Sequence, residues 1–471
     1  MKNIILPILF LFSQVIFAQT NLTFEEPVKQ RVLVLTDITN EPDDQQSLVR
    51  FLVYANEYDI EGIIATTSTH LRNQTKKDKI EELVRNYGQV KSILDIHANE
   101  YPSMEYLLSI TSIHLPLFSM EGVGEGKDSP GSELLIKAVD KSDDRPLWVS
   151  VWGGANCLAQ ALWKVKNTRP DAEVSKFVEK IRVYAISDQD FSGQWIRQNF
   201  PGIFYIVDAS AGDNWREYYK ATWTGIGGDV FYKNGPGWHH ELVENQWLIE
   251  NIAKNHGPLG ALYPPLDYIM EGDTPSFFGL IQNGLAWYKS PAWGGWAGRY
   301  EWFKSLGEVD KIWTSSVYTQ DEVVLPDGSI YASNQATIWR WRKAFQHDFA
   351  ARMDWNIAER YKDANHNPIL VLNGNEGKAF GKGKVKAGDY VRLSSKGTYD
   401  PDGDQLRYKW WVYREAGNFN GKLEFHNPFG EELVFQMPQL GSGQELHIIL
   451  EVEDSGTPSL FSYRRIILTH P

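Results

Sequence analysis

A single cysteine, Cys157, stands in the 471 residues. This excludes an intramolecular disulfide framework and any multi-cysteine metal site. Basic residues are in deficit, 47 Lys and Arg against 60 Asp and Glu, for a net charge of −13. An acidic surface repels phosphate backbones, which argues against nucleic acid as a partner. Beyond the N-terminus no apolar run reaches the ~18 residues of a membrane-spanning helix. No integral membrane segment is therefore expected in the mature chain. Repeats and low-complexity tracts are also missing. What is present in excess is tryptophan, 18 residues of it, beside 22 Tyr and 22 Phe. Aromatic faces stack on the C–H faces of sugars, and they also fill cores.

Met1–Ala18 reads as a secretory leader. Lys2 supplies the positive end, Ile4–Phe12 the apolar run, and Ala18 a small residue before the cut. A periplasmic or secreted location follows as the expectation. At 471 residues the chain exceeds what one core usually holds, so two units are expected. The turn-rich segment 363–368 (DANHNP) divides an α/β region, 29–362, from a β-rich region, 366–471.

In the first region apolar runs alternate with helical patterns. Arg31–Thr36, Ile60–Thr66, Pro146–Trp152, Ile181–Ser187 and Ile203–Val207 read as strands. Helical patterns begin near Asp43 and occupy Ile80–Ile96 and Asn156–Val165. This alternation predicts βαβ units and an open, mostly parallel sheet with flanking helices. Ligands of such sheets bind beyond the carboxyl ends of the strands. Asp37, Gly153–Asn156 and Ser187–Asp190 all follow directly after predicted strands, so they are expected to meet at one crevice. The second region has short alternating runs at Tyr390–Leu393, Leu406–Val412, Leu433–Phe435, Leu446–Val452 and Tyr463–Leu468. These predict a small Ig-like β-sandwich.

The segment Asp37-Ile-Thr-Asn-Glu-Pro-Asp-Asp44 places four acids in eight positions. Carboxylates so concentrated repel one another unless a cation or hydrogen bonds compensate. Hard cations such as Ca²⁺ take six to eight oxygen ligands. Helix capping would explain one acid, not four.

The segment Val32–Ile64 resembles the opening of the nucleoside hydrolase superfamily. More narrowly it resembles secreted bacterial nucleoside-hydrolase-like proteins catalogued as cellulose-binding. Further matching segments follow in order: Trp152–Leu162, Ile186–Phe200, His256–Gly260, Glu271–Gly284 and Ser290–Tyr300. The β-rich C-terminal region matches the usual second domain of that group. The resemblance implies one Ca²⁺ at the sheet's C-terminal edge, and hydrolysis of a glycosyl bond by a water that the metal positions and acidifies. Carried over, Asp44 and Asp273 are the expected metal ligands, joined by Asp43, Asp37 and the Ala155 carbonyl. An ungapped match puts Asp37 on the superfamily's first Asp and Thr39 on the second, the general-base position. A two-residue insertion would instead put Asp37 in the base position, and Glu41 could also supply the acid. Glu271 stands where the enzymes often carry a histidine.

Further expected ligand contacts are Asn156, Asp188, Gln189, Asp190, Trp293 and Trp296, with a polar turn capping the next helix as the other reading of 187–190. Glycines at 294, 295 and 298 would let the two tryptophans face a glycan, and core packing against the sheet is the competing reading. Glu121–Ser129 is a Gly-rich loop without the ending of a phosphate-binding loop. Cys157 is expected as a small buried residue. For the turn Asp400–Asp404, calcium binding and a simple polar turn both stand open. The leading expectation is a secreted calcium-dependent glycoside hydrolase acting on an oligosaccharide, polysaccharide or glycoconjugate. A non-catalytic carbohydrate-binding protein is second, and a ribonucleoside hydrolase third.

Overall fold

The computed structural model describes residues 19–208 and 215–471, with the side chains of 215 and 216 left out. The expected leader, Met1–Ala18, lies outside the described residues. The first nine strands are β1 (Thr23–Glu25), β2 (Gln30–Thr36), β3 (Tyr58–Ala65), β4 (Thr111–Ile113), β5 (Leu147–Val151), β6 (Ile181–Ala185), β7 (Phe204–Ile206), β8 (Glu301–Phe303) and β9 (Ile312–Thr314). Eight of them form one sheet in the order β4-β3-β2-β5-β6-β7-β9-β8. All its pairs are parallel except the edge pair β8–β9.

Strand alternation gives the sheet two apolar faces. Val32 and Val34 of β2 join one core with the helices Pro42–Val53, Lys77–His97 and Arg342–Trp355. Leu33 and Leu35 join the other core with the helices Pro130–Asp140, Asn156–Thr168 and Phe191–Asn199. Cys157 is buried in the second core, as expected. Among the described residues no helix is long and apolar enough to cross a membrane.

The C-terminal region is strand-rich and built of small sheets. Its largest has five strands, in which Arg407–Val412, Glu445–Glu453, Phe461–Thr469 and Phe380–Lys384 lie side by side. The fifth strand comes from the other end of the chain. β1 pairs antiparallel with Phe380–Lys384, matching Thr23 to Lys382 and Glu25 to Phe380. A three-residue strand carries too weak a pattern to be read from sequence, and its partner lies more than 350 residues away.

The two regions also share a core. Tyr413, Ile449 and Tyr463 belong to the same apolar cluster as Val32 and Phe345. Trp341 lies against Trp411, Tyr413 and Tyr463, with ring centres 5.6, 6.0 and 5.4 Å away. Asp321 takes hydrogen bonds from Arg299, Arg340 and the Tyr413 hydroxyl. Arg465 donates to the Leu285 and Gly294 carbonyls at 2.7 and 2.9 Å. Buried guanidinium groups held this way fix one orientation, because each would be costly to leave unpaired.

Candidate functional site

β2 ends at Thr36, and Asp37 follows at the carboxyl edge of the sheet. The chain then turns through Thr39, exposed and at φ 92°. That left-handed backbone is unfavourable for a β-branched residue, and such strain gathers at functional sites. Glu41 is the N-cap of the helix Pro42–Val53, but its carboxylate makes no capping hydrogen bond. Asp43 and Asp44 occupy the first helical turn. Of the three acids that surround Pro42 only Asp43 accepts a backbone N–H of that turn, from Asp44 at 3.1 Å, so capping leaves Glu41 and Asp44 unexplained.

A distant segment brings the fourth member. Asp43, Asp44 and Asp273 each offer an oxygen, and the three oxygens lie within 4.8 Å of one another. One Asp44 oxygen accepts from the Thr36 hydroxyl. Asp273 Oδ2 is buried with no hydrogen-bond partner. Burial pushes the Asp43 carboxyl up to about 7, helped by repulsion from Glu41 and Asp37. Asp44 and Asp273 stand well above the ordinary range, from burial first and then from their acidic neighbours. A hard cation fits this donor set: oxygens only, anionic, converging, and with a buried lone pair left over.

Asp37 sits beside that triad without belonging to its close group. It is buried, and its Oδ2 accepts from the Ser68 hydroxyl. Burial raises its carboxyl, while the Ser68 bond and the His70 charge oppose that rise. Gly153 has no room for a side chain, because the Asp37 carboxylate occupies the space a Cβ would need. Gly154 is confined in the same way by Asp190 and the Thr67 carbonyl.

A cavity of about 320 Å³ opens above the triad. Its polar wall carries Glu41, Asp43, His70, Gln189 and Asp273. Its aromatic wall carries Tyr218, Trp223, Phe231, Tyr232 and Tyr268. Neighbouring rings touch in sequence: Tyr218–Trp223 at 5.5 Å, Trp223–Tyr232 at 6.3 Å, Tyr232–Phe231 at 4.9 Å and Phe231–Tyr268 at 5.4 Å. Phe231 and Tyr268 form an exposed rim. Trp223 Nε1 and Gln189 Oε1 are buried and lack hydrogen-bond partners. Gln189 Nε2 donates to the Trp152 carbonyl at 2.8 Å, which fixes the amide.

Several expected contacts lie elsewhere. Asp188 faces the Arg197 guanidinium through bonds of 2.9 and 2.7 Å, and Glu308 binds the same arginine. Its charge is thus committed to a buried ion pair. Asp190 caps the helix Phe191–Asn199 by accepting from Ser192 N at 2.8 Å. Asn156 is fully buried, with its amide donating to Thr67 Oγ1 and the Leu117 carbonyl. Neither Asp190 nor Asn156 lines the cavity. The Ala155 carbonyl, expected on the metal, accepts from Ala159 N at 2.9 Å and so points along its helix. Trp296 is buried against Phe278 and Phe345. Trp293 packs on Phe380 and His447 of the C-terminal region. Trp296 therefore has no face left for a glycan, whereas Trp293 is half-buried, with its ring edge-on to Phe380 and His447. Glu271 is buried in an ion pair with Arg50. The Gly-rich loop is tied down by Gly124, which exchanges two hydrogen bonds with Gln160.

Sequence reasoning missed His70 and all five aromatic wall residues. His70 lies just after the predicted strand Ile60–Thr66, as Asp37 and Gln189 lie just after theirs, and that position was the available signal. The aromatic residues lie in short 3₁₀ turns and loops between 218 and 268, where no periodicity marks a shared face.

The family model for the nucleoside hydrolase-like domain of cellulose-binding Sde182 matches residues 31–300. The model for the C-terminal domain of cellulose-binding protein Sde0182 matches residues 390–470. A nucleoside hydrolase-related hypothetical protein from Saccharophagus degradans, associated with carbohydrate metabolism, has a solved structure that is 36% identical. The match covers 94% of this chain and 100% of that one, with a TM-score of 0.78. The effector protein XOO4466 matches at 10% identity over 70% of this chain and 95% of that chain, with a TM-score of 0.32. The type III effector XopQ, solved with adenosine diphosphate ribose, matches at 12% identity over 70% and 95%, with a TM-score of 0.31. No protein of curated function matches. The sheet and its helices thus have the nucleoside-hydrolase-like fold, and the chain belongs to the cellulose-binding Sde182 family, carrying both its nucleoside hydrolase-like domain and its C-terminal domain.

Proposed function

We propose that this protein is a secreted, calcium-dependent hydrolase of glycosyl bonds that acts on the end of a carbohydrate chain or glycoconjugate. The observation that carries this reading is the Asp43–Asp44–Asp273 cluster at the base of an aromatic-walled cavity. Membership of a cellulose-binding family supports a carbohydrate as the ligand. At about 320 Å³ the cavity lies at the small end of the ligand-pocket range, ~300–1,000 Å³. That size suits one terminal ring better than the middle of a polymer.

Each wall group has a role that its chemistry allows. Asp43, Asp44 and Asp273 would hold the ion, and calcium bound there would supply Lewis-acid polarisation of an oxygen. Gln189 Oε1 accepts from a sugar hydroxyl, and Trp223 Nε1 donates to one. Trp223 and Tyr232 offer ring faces to the sugar's C–H face. Glu41 takes the proton of the attacking water. It lines the cavity, whereas Asp37 lies behind it, held by Ser68. Burial raises the Glu41 carboxyl and so strengthens it as a base.

The test is turnover of aryl glycosides and cello-oligosaccharides by the native chain, with calcium and with a chelator. Turnover should require the ion and fall by about 100-fold or more in Glu41→Gln, a typical loss for a general base. Retention of a glycan with no turnover under any cation would replace catalysis by binding alone.

A further inference from the structure

A hydrolase needs a donor for the departing oxygen as well as a base for the water. The position where the superfamily often carries a histidine holds Glu271, and Glu271 is committed to Arg50, the Tyr263 hydroxyl and the Thr274 hydroxyl. It is fully buried and absent from the cavity wall. The donor must come from another element.

Among the residues lining the cavity, the titratable groups are Glu41, Asp43, His70, Asp273 and the tyrosines 218, 232 and 268. The carboxylates serve the ion and the base, and burial makes Tyr232 a weaker acid than an ordinary phenol. His70 is the one imidazole. Its backbone is held from beneath: Ser68 Oγ accepts from His70 N at 2.9 Å and from Leu71 N at 3.1 Å, and donates to Asp37. Asp37 thereby positions the turn that carries His70. The imidazole ring makes no hydrogen bond of its own to a described residue, so its nitrogens are open to a ligand in the cavity it lines. The His70 charge attracts both Asp37 and Glu41, which places it on the acidic side of the cavity.

We propose that His70 is the catalytic proton donor to the leaving oxygen of the glycosidic bond. The assignment rests on the hydrolase reading above and adds the group that reading lacks. A water oxygen bonds to the anomeric carbon while the bond from that carbon to the leaving oxygen breaks, its electron pair going to that oxygen. Glu41 takes a proton from the water, and the His70 ring gives one to the leaving oxygen. The products are the free sugar and the neutral alcohol. Solvent then carries a proton from Glu41 back to His70, so the enzyme is restored.

A proton donor matters in proportion to the basicity of the leaving group, and this makes the role separable from a structural one. The probes are aryl glycosides of glucose, xylose, galactose and arabinose, each as the phenyl, 4-nitrophenyl and 2,4-dinitrophenyl compound. The variant is His70→Asn in the full chain, with its thermal midpoint measured beside the native one. The expected result is a fall in kcat of about 100-fold or more on the phenyl glycoside and less than about fivefold on the dinitrophenyl glycoside, with KM nearly unchanged. Added imidazole should restore turnover in His70→Gly. An equal fall on all three leaving groups, or no fall on any, would overturn the His70 assignment and leave the hydrolase reading standing. If the native chain turned over none of the glycosides, with calcium present, both would be overturned.

Discussion

Arg50 and Glu271 are joined by hydrogen bonds of 2.5 and 3.0 Å, with both side chains fully buried. Arg50 lies on the helix whose first turn carries Asp43 and Asp44, and Glu271 lies two residues before Asp273. The pair therefore sets the spacing between the two halves of the carboxylate cluster. Arg50 also donates to the Phe345 carbonyl at 3.0 Å and stacks on Phe349 at 3.9 Å. Glu271→Gln leaves a buried guanidinium without its counter-charge. It should cost about 3–5 kcal/mol in denaturant unfolding and weaken cation binding as well. A variant of native stability would show that the guanidinium finds other partners.

The carboxylate cluster makes stability depend on pH. Asp43, Asp44 and Asp273 all have raised carboxyls in the folded chain. The fold then holds more protons than the unfolded chain between the ordinary Asp value of 3.8 and about 7 for Asp43. Linkage gives the sign: each contribution is full below 3.8 and is lost as pH rises through the raised folded value, which is about 7 for Asp43. A bound cation replaces those protons. Calcium should raise the thermal midpoint strongly at pH 8 and little at pH 4.5. An equal rise at both would place the ion away from these acids.

Aromatic residues divide into two kinds by what they touch. Trp296 is packed on Phe278 and Phe345, and Trp296→Ala should cost about 3–5 kcal/mol through the cavity it leaves. Phe231 and Tyr268 form the exposed rim of the cavity. Phe231→Ala with Tyr268→Ala should leave the thermal midpoint within a few degrees and weaken retention on cello-oligosaccharide by about tenfold, the loss of one or two ring contacts. Native retention in the double variant would move the glycan to another surface.

The two regions should unfold together. β1 completes the C-terminal sheet, and Trp341 is covered by Trp411, Tyr413 and Tyr463. A chain ending at Lys362 would expose that apolar face and leave Arg299, Arg340 and Asp321 without Tyr413. It should be insoluble or unfolded, whereas the full chain should melt in one transition. Two separated transitions in calorimetry would show independent units.

Strands β2, β3, β5, β6 and β7 were legible because they lie in apolar runs largely buried on both faces, whereas β4, β8 and β9 are three residues long and carry too little pattern to read. The acids of residues 37–44 were legible for the same reason: they follow the first long strand and exceed what a cap requires. Asp273 came only through resemblance, since nothing local marks a lone Asp as one corner of a cluster. Pairings at long range were not readable. Asp188 looks like a free acid until Arg197 pairs with it, and Trp296 looks like a platform until Phe278 and Phe345 cover it. The cavity's aromatic wall was hidden because irregular turns set its geometry. The strand swap from the N-terminus to the last sheet was hidden because three residues hold no period.

The measurement that bears most directly on the hydrolase reading is a calcium titration of the metal-free full chain by calorimetry, beside Asp273→Asn and Asp44→Ala. One tightly held ion per native chain is expected, lost in both variants, with the native thermal midpoint rising as the site fills. No binding with calcium in excess, or binding unchanged in the two variants, would contradict that reading.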